Sequence, residues 1–195
     1  MKKSFGWIVI IGLLAILGLW VMNTYNKLVE HEETVESAWS QVENQYQRRA
    51  DLVPNLVATV KGYASHEQET FTRTMEARAK ATQITIDPAN ATPEQLAAYQ
   101  AAQGELSQAL GRLMAVAESY PELKANENFR DLQSQLEGTE NRCTIARQQF
   151  NEEARQFNTI VRRFPGNIVA GIFGFEKKPY FEADEDAKHA PKVEF

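Results

Sequence analysis

Apolar residues run without a break near the start of this chain and afterwards recur three and four positions apart. From Phe5 to Met22 the sequence reads FGWIVIIGLLAILGLWVM, with no charged side chain. Eighteen residues at a helical rise of about 1.5 Å span about 27 Å, close to the roughly 30 Å hydrocarbon core of a bilayer. The chain is therefore expected to enter a lipid bilayer through residues 5–22. A cleaved signal would pair a shorter apolar core with small residues at its end. Here the run closes on Leu19-Trp20-Val21-Met22, which predicts an uncleaved, single-pass transmembrane helix.

Beyond this anchor, four stretches carry the spacing that lines one face of an α-helix. The first joins Tyr25, Leu28, Val35, Trp39, Val42 and Tyr46 and is interrupted by Glu32 and then Arg49. The second follows Pro54 through Val57, Val60, Ala64 and Phe71 to about Ile84, interrupted by Glu67 and Arg78. Asp51 as a cap and Pro54 in a first turn, where a missing N–H costs little, predict a helix boundary at residues 50–54. Thr92-Pro93-Glu94-Gln95 combines an N-cap threonine, proline at the first helical position and a reciprocal glutamine. The third stripe then runs Leu96, Tyr99, Leu106, Leu110, Leu113 and Ala117 and ends before Pro121. The fourth runs Phe129, Leu132, Leu136, Cys143, Ala146, Phe150, Phe157, Ile160 and Phe164, stopped by Pro165-Gly166.

Stripes of this kind are stable only when they face one another, and short connections make neighbouring helices antiparallel. The expected fold is all-α, an N-terminal transmembrane helix followed by an antiparallel up-and-down four-helix bundle. A rival topology carries the anchor and the first two stripes as one helix kinked at Pro54. The expected organisation is a short N-terminus and anchor over 1–22, the bundle over 23–166, an apolar segment over 167–181 and a charged flexible tail over 182–195.

Charge adds location and excludes a partner. The formal net charge is −5, and because Lys2 and Lys3 lie before the anchor, the remainder is more acidic still. Such a surface repels phosphate backbones, so no nucleic acid partner is expected. Lys27 on the far side is outweighed by Glu30, Glu32 and Glu33, which places the short N-terminus in the cytoplasm and the bundle outside it. Cys143 is the single cysteine, so the fold relies on packing without an internal disulfide.

The segments RRADLVPNL, YPELKAN, LEGTENR and FPGN, within similarity that covers nearly the whole chain beyond the anchor, resemble the LemA family of bacterial proteins. The departure from that pattern lies mainly between Thr82 and Gln95. The resemblance implies a membrane-anchored helical bundle of the cell envelope with no assigned biochemical activity. It brings no catalytic residues to carry over.

The residues themselves offer little for catalysis. His31-Glu32 and His66-Glu67 each begin an H-E-x-x pattern, but Val35 and Thr70 stand where a second zinc ligand belongs. No Glu-x-x-His pair suits a carboxylate-bridged metal, and one cysteine cannot attach a haem. Cys143 reads as a small buried thiol, and no cofactor, metal or enzymatic activity is expected.

Polar residues on the stripes are a further candidate site. By helical rise Glu32, Arg78, Gln103 and Glu153 would all fall within about 9 to 16 Å of the membrane-proximal helix ends. The simplest expectation is that one or both glutamates turn to a solvated flank. The other two are a buried salt-bridge layer and a cation or ligand site. After the bundle, Ile168, Ile172, Phe173 and Phe175 lie in an apolar segment followed by Lys177 and Lys178. It is expected to close the base of the bundle, with membrane or partner contact as the alternative. Two function classes follow: a non-enzymatic interaction or scaffold protein with protein partners, or an extracytoplasmic ligand-binding sensory domain signalling through a partner membrane protein.

Overall fold

The computed structural model describes residues 2–182, with side chains from Gly6 onward. Six helices follow in order: α1 (Lys2–Lys61), α2 (Gln68–Gln83), α3 (Pro93–Glu118), α4 (Pro121–Ala125), α5 (Glu127–Arg162) and α6 (Gly166–Phe173). No strand occurs among the described residues, and the fold is an all-helical bundle with one N-terminal helix long and apolar enough to cross a membrane. The expected tail lies, from residue 183, outside the described residues.

Helix α1 corrects the boundary expected at residues 50–54 and agrees with the rival topology in running through Pro54 as one helix, although it stops at Lys61, before the second stripe is complete. The helix neither begins nor ends there but carries the anchor, the first stripe and the start of the second without a break as far as Lys61. Proline cannot donate to the carbonyl four residues back, which strands the oxygen of Ala50. The Arg78 Nε of α2 donates to that oxygen at 2.8 Å. Leu52, Val53, Leu56, Val57 and Val60, all buried, keep the apolar face continuous across the proline. The chain breaks instead at residues 62–67, and Gln68 restarts it. At Thr92 the cap forms as the sequence predicts: Gln95 N–H donates to Thr92 Oγ1 at 3.2 Å, and Thr92 N–H donates to Gln95 Oε1 at 3.0 Å.

Helix α5 lies antiparallel along α1, pairing Trp39 with Phe150 and Arg49 with Glu140, while α2 and α3 form a second antiparallel pair through Lys80 and Glu105. The core falls into two clusters along this bundle. One gathers Leu28, Val35, Trp39, Tyr99, Phe150 and Phe157 toward the anchor; the other gathers Leu56, Val60, Leu106, Leu113, Leu123 and Phe129 at the far end.

After α5 the FPGN segment turns the chain. A Cβ on Gly166 would lie 2.9 Å from the carbonyl oxygen of Ile160, so only glycine fits that approach. Helix α6 then ends at Gly174, whose φ of 78° is the left-handed conformation of a C-terminal cap. Residues beyond it run extended up the bundle as a strap, and Phe181 is buried with its ring stacked on Trp39 at 5.9 Å.

Candidate functional site

Two polar clusters lie inside the bundle, and the side chains singled out from sequence divide between them. The larger centres on Arg49, only 2% exposed. Its Nη1 donates to Glu140 Oε1 at 2.7 Å, Glu140 Oε2 at 3.0 Å and Ser107 Oγ at 2.8 Å. Its Nη2 donates to Gln103 Oε1 at 2.6 Å and the Gln103 carbonyl at 3.1 Å. The Tyr46 ring lies 4.9 Å from the guanidinium carbon. Gln103 Nε2 in turn donates to the Ala81 carbonyl at 3.1 Å, one turn along α2 from Arg78. One level therefore joins α1, α2, α3 and α5 through polar contacts. Glu140 spends both oxygens on the guanidinium. Such an arrangement fixes helix register and offers no free acid or base.

The second cluster sits closer to the anchor. Lys178 of the strap, 5% exposed, donates from Nζ to Glu32 Oε1 and to the Ala89 carbonyl, both at 2.7 Å. Two asparagines on α5 hold the strap itself. Asn158 accepts the Lys178 N–H and donates to the Lys178 carbonyl, each at 2.8 Å; Asn151 does the same for Phe181, each at 2.9 Å. Gln100 and Arg147 both donate to the Glu182 carbonyl at 2.9 Å.

Of the four stripe residues, Arg78 and Gln103 thus share the Arg49 level, Glu32 pairs with Lys178, and Glu153 is half-buried on α5 outside both clusters. The four do not meet in one layer. Arg49, Glu140 and Lys178 complete the clusters and were not singled out from sequence. Arg49 interrupts the first stripe, and Glu140 lies in the six-residue gap between Leu136 and Cys143, which were the available signals.

Burial raises the hydroxyl pKa of Tyr46 to about 12 and that of Tyr99 still higher, so both remain neutral. Cys143 is buried, which pushes its thiol up to about 11 and away from nucleophilic character. The apolar segment splits by face: Val169 and Ala170 are buried, Phe175 is half-buried against Phe157, and Ile168, Ile172 and Phe173 face outward. A shallow groove of about 360 Å³ between α2 and α3 is lined by Glu69, Arg73, Glu105 and Arg112.

Comparison with known proteins gives these features a family. The magnetosome protein MamQ 2 of Paramagnetospirillum magneticum is 29% identical over 175 residues, covering 81% of this chain and 64% of that protein. Magnetosome protein MamQ of Magnetospirillum gryphiswaldense is 29% identical over 174 residues, with 80% and 64% covered. Protein LemA of Metamycoplasma hominis is 23% identical over 160 residues, with 82% and 69% covered. The chain spans about 64% of the length of the MamQ relatives. The stretches that carried the resemblance meet in space, RRADLVPNL supplying Arg49 and Pro54 and LEGTENR supplying Glu140. The LemA family pattern matches residues 38–195, and the chain belongs to that family.

Proposed function

We propose that this chain is a single-pass protein of the cytoplasmic membrane whose bundle, outside the cytoplasm, binds and organises other proteins without catalysing a reaction. The observation that carries this reading is the continuity of α1, which passes from the apolar run into the bundle core with no linker. A helix of 60 residues extends about 90 Å, so the bundle is presented at a fixed height and angle. A rigid mount suits a scaffold. The interior polar side chains support it too, since Arg49, Glu140, Lys178 and Glu32 are committed to one another and not to a cavity.

The sensory reading has the groove between α2 and α3 in its favour, where Arg73 and Arg112 stand beside Glu69 and Glu105. Photo-crosslinking separates the two. With a photoreactive residue replacing Met75, Gln108 or Arg112 in living cells, a scaffold gives the same discrete protein adducts at all growth conditions. Adducts that appear only with an added small molecule favour the sensor, and none at any exposed position removes the scaffold.

A further inference from the structure

The outward face of α6 carries no charge, and among the described residues it stays largely uncovered, with only Phe173 touching Tyr25. Phe164 is 76% exposed, Ile168 50%, Ile172 70% and Phe173 51%. Ile168 and Ile172, four apart on α6, form a short ridge beside Phe173, Phe164 stands in the turn before the helix, and no charged residue occurs from Phe164 to Phe175. Exposed Arg162 and Arg163 precede this stretch and exposed Lys177 follows it.

The height of this ridge along α1 identifies what covers it. The Tyr25 ring lies 4.8 Å from Phe173 and 5.7 Å from Phe175. Trp20 and Val21 pack against the cluster that includes Val169 and Ala170, whereas residues 6–19 are all exposed. If the bilayer is centred midway along Phe5 to Met22, Tyr25 lies about 17 Å from the centre by helical rise, against a hydrocarbon half-thickness of roughly 15 Å. Helix α6 is thereby held at the level where acyl chains meet headgroups. We propose that the ridge of Ile168 and Ile172, together with Phe164 and Phe173, is seated in the acyl–headgroup boundary of the leaflet from which α1 emerges. The bundle then rests on the membrane through its base instead of standing clear of it. Arg162, Arg163 and Lys177 face anionic headgroups around the apolar contact, the arrangement of an interfacial helix. The seat rests on the reading that residues 5–22 span the membrane.

The test uses the full chain in vesicles of phosphatidylcholine and phosphatidylglycerol. An environment-sensitive fluorophore is attached through Ile172→Cys, Ile168→Cys, Leu13→Cys or Ser37→Cys, each alone; Cys143 is buried and stays unlabelled. Lipids carrying a nitroxide near the top of the acyl chain, or deep within it, report depth by quenching. The expected result is that the probes at 168 and 172 lose most of their fluorescence to the shallow nitroxide. The probe at 13 loses it to the deep one, and the probe at 37, exposed on the bundle, loses none. Probes at 168 and 172 that behave like the one at 37, with 13 still quenched deeply, overturn the interfacial seat and leave the anchor standing. An unquenched probe at 13 overturns both. Agreement between 168 and 172, with unchanged helical circular dichroism, excludes a local effect of one substitution. Probes at both positions that are shielded equally from lipid and water point to a protein on this face and also overturn the proposal.

Discussion

A guanidinium inside a bundle is stable only while its donors have acceptors, and for Arg49 those acceptors come from α3 and α5. Removing the Glu140 carboxylate leaves a charge that is 2% exposed without its counter-ion. Breaking such a pair costs about 3 to 5 kcal/mol, and because Glu140 is itself 40% exposed the expected loss for Glu140→Ala is near the lower end. In detergent-solubilised full-length chain this is a fall in Tm of about 6 to 12 °C, with the double change Arg49→Met and Glu140→Leu restoring most of it. A drop below about 2 °C for Glu140→Ala would mean the pair does little for the fold. Buried tyrosines give a second expectation. Burial raises Tyr46 to about 12, above its free value of 10, so the folded state favours the neutral phenol. That contribution is complete below pH of about 10, and is lost as pH rises from there through 12. Tyr99 adds to it in the same direction. Tyrosinate absorbance against pH is expected to show part of the tyrosines ionising only with loss of helical circular dichroism. The sequence made Arg49 visible as a break in a stripe but not its partner, because glutamate between two apolar positions reads equally well as a solvated flank.

At the scale of single elements, the spacing of apolar residues located every long helix, yet it misplaced one boundary. Asp51 and Pro54 resemble a helix start in every local respect. What overrides them is a residue 24 positions on, the Arg78 side chain that takes over the Ala50 carbonyl. Tertiary rescue of this kind leaves no local mark. It predicts coupling: Arg78→Leu should cost about 1 to 2 kcal/mol by leaving that carbonyl without a protein donor. With Pro54→Ala, which returns a backbone N–H to the same oxygen, the penalty of Arg78→Leu should shrink by about 1 kcal/mol. Equal penalties in both backgrounds would show that Arg78 acts elsewhere. The strap was similarly hidden, since extended residues held by asparagine side chains have no periodicity to read. Hydrogen exchange is expected to find the amides of Lys178 and Phe181 protected, and Asn158→Ala to release the first while Phe181 stays held by Asn151. Simultaneous loss of both would instead mean that the strap detaches as a unit.

For the whole molecule, two stretches distant in sequence meet at the bundle base: α1 passes from the apolar run directly into the core, and α5 returns the chain to α6 beside Tyr25. This arrangement makes the direction of insertion decisive, because everything after Met22 stays with the bundle. Two observations bear on that direction. Lys2 and Lys3 stand on the short side, and positive residues are retained in the cytoplasm during insertion. On the other side Glu30 and Glu33 stay exposed and only Glu32 is neutralised, by Lys178, so the charge asymmetry survives folding. The bundle is therefore expected outside the cytoplasm. In bacterial cells whose outer barrier has been opened while the cytoplasmic membrane stays sealed, added protease should cut exposed sites such as Lys61 and Arg130, and a cytoplasmic marker should stay whole. Exchanging Lys2 and Lys3 for Glu, with lysines placed at Asn23 and Asn26, should reverse the outcome for part of the population. A bundle cut only after lysis in the unaltered chain would place it in the cytoplasm and move the proposed partners and the seat of α6 to the inner leaflet.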